Sequence, residues 1–272
     1  MIFSAYFICF IIFSFLGWIY ESAYCSIREH RWENRGFLMG PVVPIYGCGF
    51  IILMIVCYYR PELTSSDYPW YKIFLLCLIG SAILEYSTSF ILEKLFNARW
   101  WDYSNLPLNI NGRICLPASL AFASVGLLLS RYVIADLQAL INHSNQYLNE
   151  LISLVLMMIF GADIGLSINS IQVISRKINQ INNEINANIS YFYDSVEGGI
   201  KEGKEAFDNK YEELVNSRLA RLIQESSVFQ TLTLQRVRKL SFLDKRRSIG
   251  ETLLKEVKKL SFNNLIKRRQ NK

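Results

Sequence analysis

Arg35, Arg99 and Arg113 stand in polar stretches beside tryptophan and asparagine. Each offers a planar guanidinium able to grip a phosphate or carboxylate through two parallel hydrogen bonds. Glu21, Glu85 and Asp102 supply carboxylates that either hold such arginines in place or exchange protons as general acid and base. Asn34 and Asn111 add amide donors and acceptors. Asp163 is of another kind, set in an apolar run with Ser167 and Ser170 on its helical face. It reads equally well as an internal contact between helices and as a polar group on a solute path. Metal and nucleophile chemistry finds no support. His30 and His143 fall in separate loops, no Cys-x-x-Cys occurs, and the cysteines lie in or at the ends of apolar runs. No metal, no other cofactor and no catalytic triad is expected.

The elements that must position these groups are transmembrane helices. The chain is 51% apolar and only 19% charged, with a positive mean hydropathy. Its charge is uneven. Residues 1–175 hold 9 of the 29 basic and 11 of the 23 acidic side chains, leaving 20 and 12 for residues 176–272. The first part cannot be a soluble core, and the second is too charged to continue it. The expected architecture is all-α: a polytopic transmembrane bundle over 1–175, followed by a helical, basic cytoplasmic tail over 176–272. Five apolar runs, 2–20, 41–59, 71–92, 114–130 and 151–173, approach the ~20 residues a span needs. Span 2 is expected to start at the Gly40-Pro41 step, because proline in a first turn loses only amides that lack partners. Asn111-Gly112 marks a tight turn before span 4.

Basic residues in short loops set the orientation. Arg28, Arg31 and Arg35 follow span 1; Lys94, Arg99 and Arg113 follow span 3. The expected topology therefore has the N-terminus outside, these two loops inside and the tail inside, in the plasma membrane. It gathers Glu21, Asn34, Arg35, Glu85, Arg99, Asp102, Asn111 and Arg113 on the cytoplasmic side. Each residue alone fits the positive-inside rule or the aromatic belt. Their gathering points to a site.

Ile171, Ile174, Ile178, Ile181, Ile185, Ile189, Phe192 and Val196 form one apolar stripe leaving span 5, stopped by Gly198-Gly199. Residues 231–272 carry 13 basic and 3 acidic side chains, a composition that suits the anionic inner leaflet. Ser241, Ser248 and Ser261 there have basic neighbours, and nothing resembles a nucleic-acid recognition module. Residues 198–204 mimic the start of a phosphate-binding loop. Glu205 stands where that motif needs Ser or Thr, so ATP binding by this chain is rejected.

Gly17-Trp18-Ile19-Tyr20-Glu21, Asn34-Arg35-Gly36-Phe37-Leu38-Met39-Gly40-Pro41 and Pro44-Ile45-Tyr46-Gly47 resemble the putative ABC-transporter type IV (CmpB-like) permeases. So do Glu85-Tyr86, the run Glu93 to Asn97, Arg99-Trp100-Trp101-Asp102-Tyr103 and the run Asn109 to Leu116. The likeness covers roughly 10–130 and leaves out the tail. It implies an integral membrane protein that works with a separate ATPase subunit or with copies of itself, and it carries over no catalytic residue. A transport component handling a small anionic solute is the leading reading. A membrane-embedded enzyme acting on a lipid head group, with Glu85 or Glu21 as acid or base, is the alternative. A structural or regulatory anchor with a recruiting tail is the third.

Overall fold

The computed structural model describes residues 2–195, 217, 221, 222, 224–237, 239 and 240. Seven helices carry these residues: α1 (Ile2–Glu29), α2 (Pro44–Tyr59), α3 (Trp70–Phe96), α4 (Leu116–Tyr132), α5 (Ile134–His143), α6 (Gln146–Ser195) and α7 (Val228–Arg236). Each of the five apolar runs thus becomes helical. α1, α3 and α6 are long and apolar enough to cross a membrane, and the bent pair α4–α5 makes a fourth if taken as one span. α2 is apolar but has only 16 residues, about 24 Å at 1.5 Å per residue. Phe3, Ile83, Leu95, Leu154 and Met158 are all exposed, an outer surface suited to lipid rather than water.

The chain divides into two compact units, Met1–Leu95 with Arg99–Leu166, and Phe96–Ala98 with Ser167–Lys272. In the first, α1 and α2 pack most closely. A side chain at Gly47 would overlap Ser14 and the Phe10 carbonyl, and one at Gly17 would overlap the Tyr46 ring. Phe13 stacks on Phe50 with only 8° between the planes. Cys9, Phe50, Met54, Cys57, Leu63, Ile73 and Ile134 form the buried core beside this pair.

Helix ends follow local rules. α1 stops at His30, whose positive φ of 50° is the left-handed turn that closes many helices. α2 begins at Pro44, not at the expected Gly40-Pro41 step. The residue before a proline is pushed out of the helical region, and Val43 accordingly sits extended, at φ −119° and ψ 95°. Residues 36–43 instead return along α1, where the Val43 amide donates to the Ser14 carbonyl at 2.9 Å. α4 starts after extended Cys115, with Pro117 in its first turn. Beyond it the chain turns by 50° into α5, where the sequence showed only a connection. The cause is tertiary: Ser130 Oγ donates to the Leu63 carbonyl at 2.9 Å and Arg131 bonds the Tyr68 carbonyl, which tie down the end of α4.

In the second unit Ile171, Ile174 and Ile178 are buried, so the stripe packs against the chain itself. Leu222, Leu234 and Val237 are buried in the same unit, and α7 opens with a reciprocal capping box between Ser227 and Gln230. The side chains of Ile185, Ile189 and Phe192, together with Val196, lie outside the described set. So do Gly198-Gly199, the phosphate-loop mimic, the three serines and the basic segment beyond Leu240.

Candidate functional site

The connection between α3 and α4 is the hub. Asn109–Ile110 pairs antiparallel with Ile114–Cys115, and the reversal between them has Asn111 at φ 54° and Gly112 at φ 67°. Two successive positive φ values are what a type I′ turn requires, in line with the expected Asn-Gly turn. Asp102 secures the loop from below: its Oδ1 accepts from the Ser104 amide at 3.1 Å and from the Ser104 hydroxyl. Trp101 Nε1 donates to the Arg113 carbonyl at 2.9 Å.

Tyr86, Phe90 and Glu93 recur on α3 at spacings of four and three, so one helical face meets this loop. Glu93 Oε2 takes Arg99 Nε at 2.8 Å and Arg113 Nη2 at 2.6 Å. The Arg113 guanidinium also lies over the Tyr86 and Phe90 rings, 5.3 and 5.4 Å from their centroids. Arg99 Nη1 donates to the Asn111 carbonyl at 3.0 Å, and Asn111 Nδ2 donates to the Tyr86 hydroxyl at 3.1 Å. One carboxylate thus holds two of the three expected arginines in a network of their own.

Arg35 is placed differently. It is 6% exposed, its amide donates to Ser22 Oγ at 3.3 Å, and its Nη2 donates to the Trp100 carbonyl at 2.9 Å. Its Nε and Nη1 are buried with no hydrogen-bond partner among the described residues. Neighbouring Asn34 accepts from Trp18 Nε1 at 2.8 Å, and Phe37 meets Trp100 edge-on at 5.1 Å.

Glu85 is 4% exposed and accepts a hydrogen bond from Tyr103, yet its Oε2 is buried without a partner among the described residues. Burial pushes the Tyr103 hydroxyl far above its ordinary value, and the Glu85 and Glu21 carboxylates push it further. Glu21 also acts electrostatically on Glu85 itself. Asp163 stands apart from this hub. Both its oxygens accept the Gly40 amide, at 3.1 and 2.9 Å, an internal contact to the returning segment.

The eight expected residues therefore fall into two arrangements joined by one loop, with Asp102 serving its shape and Asn34 bonded to Trp18 of α1. The sequence reading leaves Glu93, Tyr86, Tyr103 and Ser22 out of the site. The Tyr86–Phe90–Glu93 spacing was the available signal.

Helices of this length and apolarity, exposing apolar faces, fit a multi-pass membrane protein. A family model described as putative ABC-transporter type IV matches residues 8–168, more than half of the chain, and the protein belongs to that family. No curated protein and no solved structure matches it. The match ends within α6, so the tail lies outside the matched region.

Proposed function

We propose that the protein is a membrane component of a transporter, with a cytoplasmic-side polar site for a small anionic solute or an anionic lipid head group. The observation that carries this reading is the buried Arg35 guanidinium, which keeps two nitrogens without partners while Glu93 neutralises its two fellow arginines. A buried cation without a counter-ion is expensive, and an anionic ligand removes that cost. Five spans underlie the proposal: α1, α2, α3, α4 and the first part of α6. The N-terminus lies outside the plasma membrane and the tail inside, with the basic segment on the anionic inner leaflet. A separate ATPase subunit or further copies of the chain complete the path, as the family description supports. The enzyme reading keeps one specific support, the buried Glu85 carboxyl with Glu21 as its electrostatic neighbour, two carboxyl groups of the type that exchange protons, while the Tyr103 hydroxyl beside them holds its proton.

The test is anion binding by the full chain purified in detergent, followed as a rise in Tm with inorganic phosphate or sn-glycerol 3-phosphate. The wild type should be stabilised. Arg35→Gln should lose the response, whereas Arg99→Lys should keep it. No response to any anion in the wild type rejects the site. Orientation is tested separately in intact cells, in a background cleared of native cysteines. An impermeant thiol reagent should label a cysteine at Asn145 and spare one at His30.

A further inference from the structure

Arg35 and Glu85 are bracketed by the same two short stretches. Ser22 of α1 holds the Arg35 amide, and Glu21, the residue before it, acts on Glu85. Trp100 holds the Arg35 side chain, and Tyr103, three residues on in the same loop, holds Glu85. Both groups are more than nine-tenths buried, and each keeps polar atoms unpartnered among the described residues: Nε and Nη1 on the cation, Oε2 on the anion. Whichever Nη2 hydrogen the Trp100 carbonyl takes, one complete two-hydrogen fork remains on the guanidinium. The fork fits two oxygens of a phosphate or carboxylate. Glu85, with Glu21 as its electrostatic neighbour, fits a cation that brings several N–H donors. An anion alone would satisfy Arg35 and leave Glu85 Oε2 without a partner among the described residues.

Resting on the anion-site reading above, we infer that the ligand is a zwitterion carrying an anionic phosphate and a primary ammonium, as in an ethanolamine phosphate ester. The phosphate sits on Arg35 and the ammonium on Glu85. Such a group reaches the site either as a soluble ester or as the head group of a membrane lipid.

The full chain in detergent distinguishes these cases by Tm and by titration. Glycerophosphoethanolamine and sn-glycerol 3-phosphate share the phosphate and differ in the ammonium; phosphatidylethanolamine and phosphatidylglycerol make the same contrast in mixed micelles. The expected result is that one or both ethanolamine compounds bind about tenfold more tightly than the matched anion, a difference of one good charged contact. Glu85→Gln should abolish that preference, and Arg35→Lys should weaken both members of a pair. A response to the soluble ester alone assigns a solute, and a response to the lipid alone assigns a head group. Equal binding of ethanolamine and matched compounds overturns the inference while leaving the anion site standing; no binding of any anion removes both. The double variant Arg35→Glu with Glu85→Arg adds a ligand-free check. Recovery of wild-type Tm in that swap would mean the two side chains simply pair with each other, and it would also overturn the inference.

Discussion

Arg113 and Arg35 are the same residue type, held against the same loop, and their surroundings are opposite. Arg113 bonds a carboxylate, lies over two aromatic rings and shares its anion with Arg99. Arg35 is more deeply set, is fixed by a carbonyl and a hydroxyl-anchored backbone, and meets no carboxylate among the described residues. Arg113 too keeps a buried Nε without a partner among the described residues, but its charge is met by a carboxylate; a buried cation with no counter-ion costs free energy until something binds. The contrast separates a clamp that shapes the α3–α4 connection from a group that, on the proposal above, is kept ready for a ligand. Positive charge near a membrane face is therefore not one feature but two, and only partner geometry tells them apart.

The largest expected effect comes from breaking the clamp at its shared atom. Glu93→Ala strands two mostly buried guanidinium groups at once, and removal of one partner from such a pair typically costs about 3–5 kcal/mol. Folded, membrane-inserted protein should drop sharply, and Tm of what remains should fall well below wild type. A Glu93→Ala protein of normal Tm would show that the clamp is ornamental.

Helix packing gives a second large effect, independent of charge. Gly47→Ala drives a methyl group into Ser14 and the Phe10 carbonyl, at a cost of about 1–3 kcal/mol for overpacking. It should lower Tm while leaving the ratio of ethanolamine to matched-anion binding intact, because the site residues at 21, 22 and 35 lie outside that contact. Loss of the ratio would tie the site to the α1–α2 fit.

Much of the frame was legible in the chain. The five apolar runs became helices because their length and composition leave few alternatives in lipid, and Asn111-Gly112 turned where two positive φ values were needed. The start of α2 was misplaced by three residues because Pro41 and Pro44 both satisfy the first-turn rule, and only the extended Val43 decides between them. The α4–α5 bend carries no glycine or proline at Val133; it depends on Ser130 and Arg131 reaching the α2–α3 connection, which no local pattern reveals. The site was legible as a gathering and not as a division of labour. Charge and topology bring all three arginines to one side, but which of them meets Glu93 depends on how the Tyr86–Phe90–Glu93 face abuts the loop.

Asp163 tests a smaller claim, that its role is to hold the returning segment. Asp163→Asn keeps the shape and one acceptor oxygen while removing the charge from the bond to the Gly40 amide. A charged hydrogen bond reduced to a neutral one should cost about 1 kcal/mol, seen as a modest fall in Tm. Ligand preference should be unchanged, since Gly40 lies outside the two stretches that bracket Arg35 and Glu85.

Arg35→Met should have the smallest effect on stability, and its sign is what matters. The substitution removes a charge that is buried and incompletely bonded, and it leaves an apolar chain of similar length in the same buried position. Replacing buried charge with well-packed apolar volume is often neutral or stabilising, so Tm of the ligand-free protein should stay near wild type or rise. The Trp100 carbonyl loses its donor, which offsets part of that gain by about 1 kcal/mol. The matching Arg113→Met must behave in the opposite way, because it discards a carboxylate bond at 2.6 Å and two ring contacts. If the two variants lose stability equally, Arg35 is a structural arginine like its neighbour. If Arg35→Met holds its Tm while binding of every phosphate ester disappears, the cost of keeping an open cation in the fold is being met by ligand and not by packing.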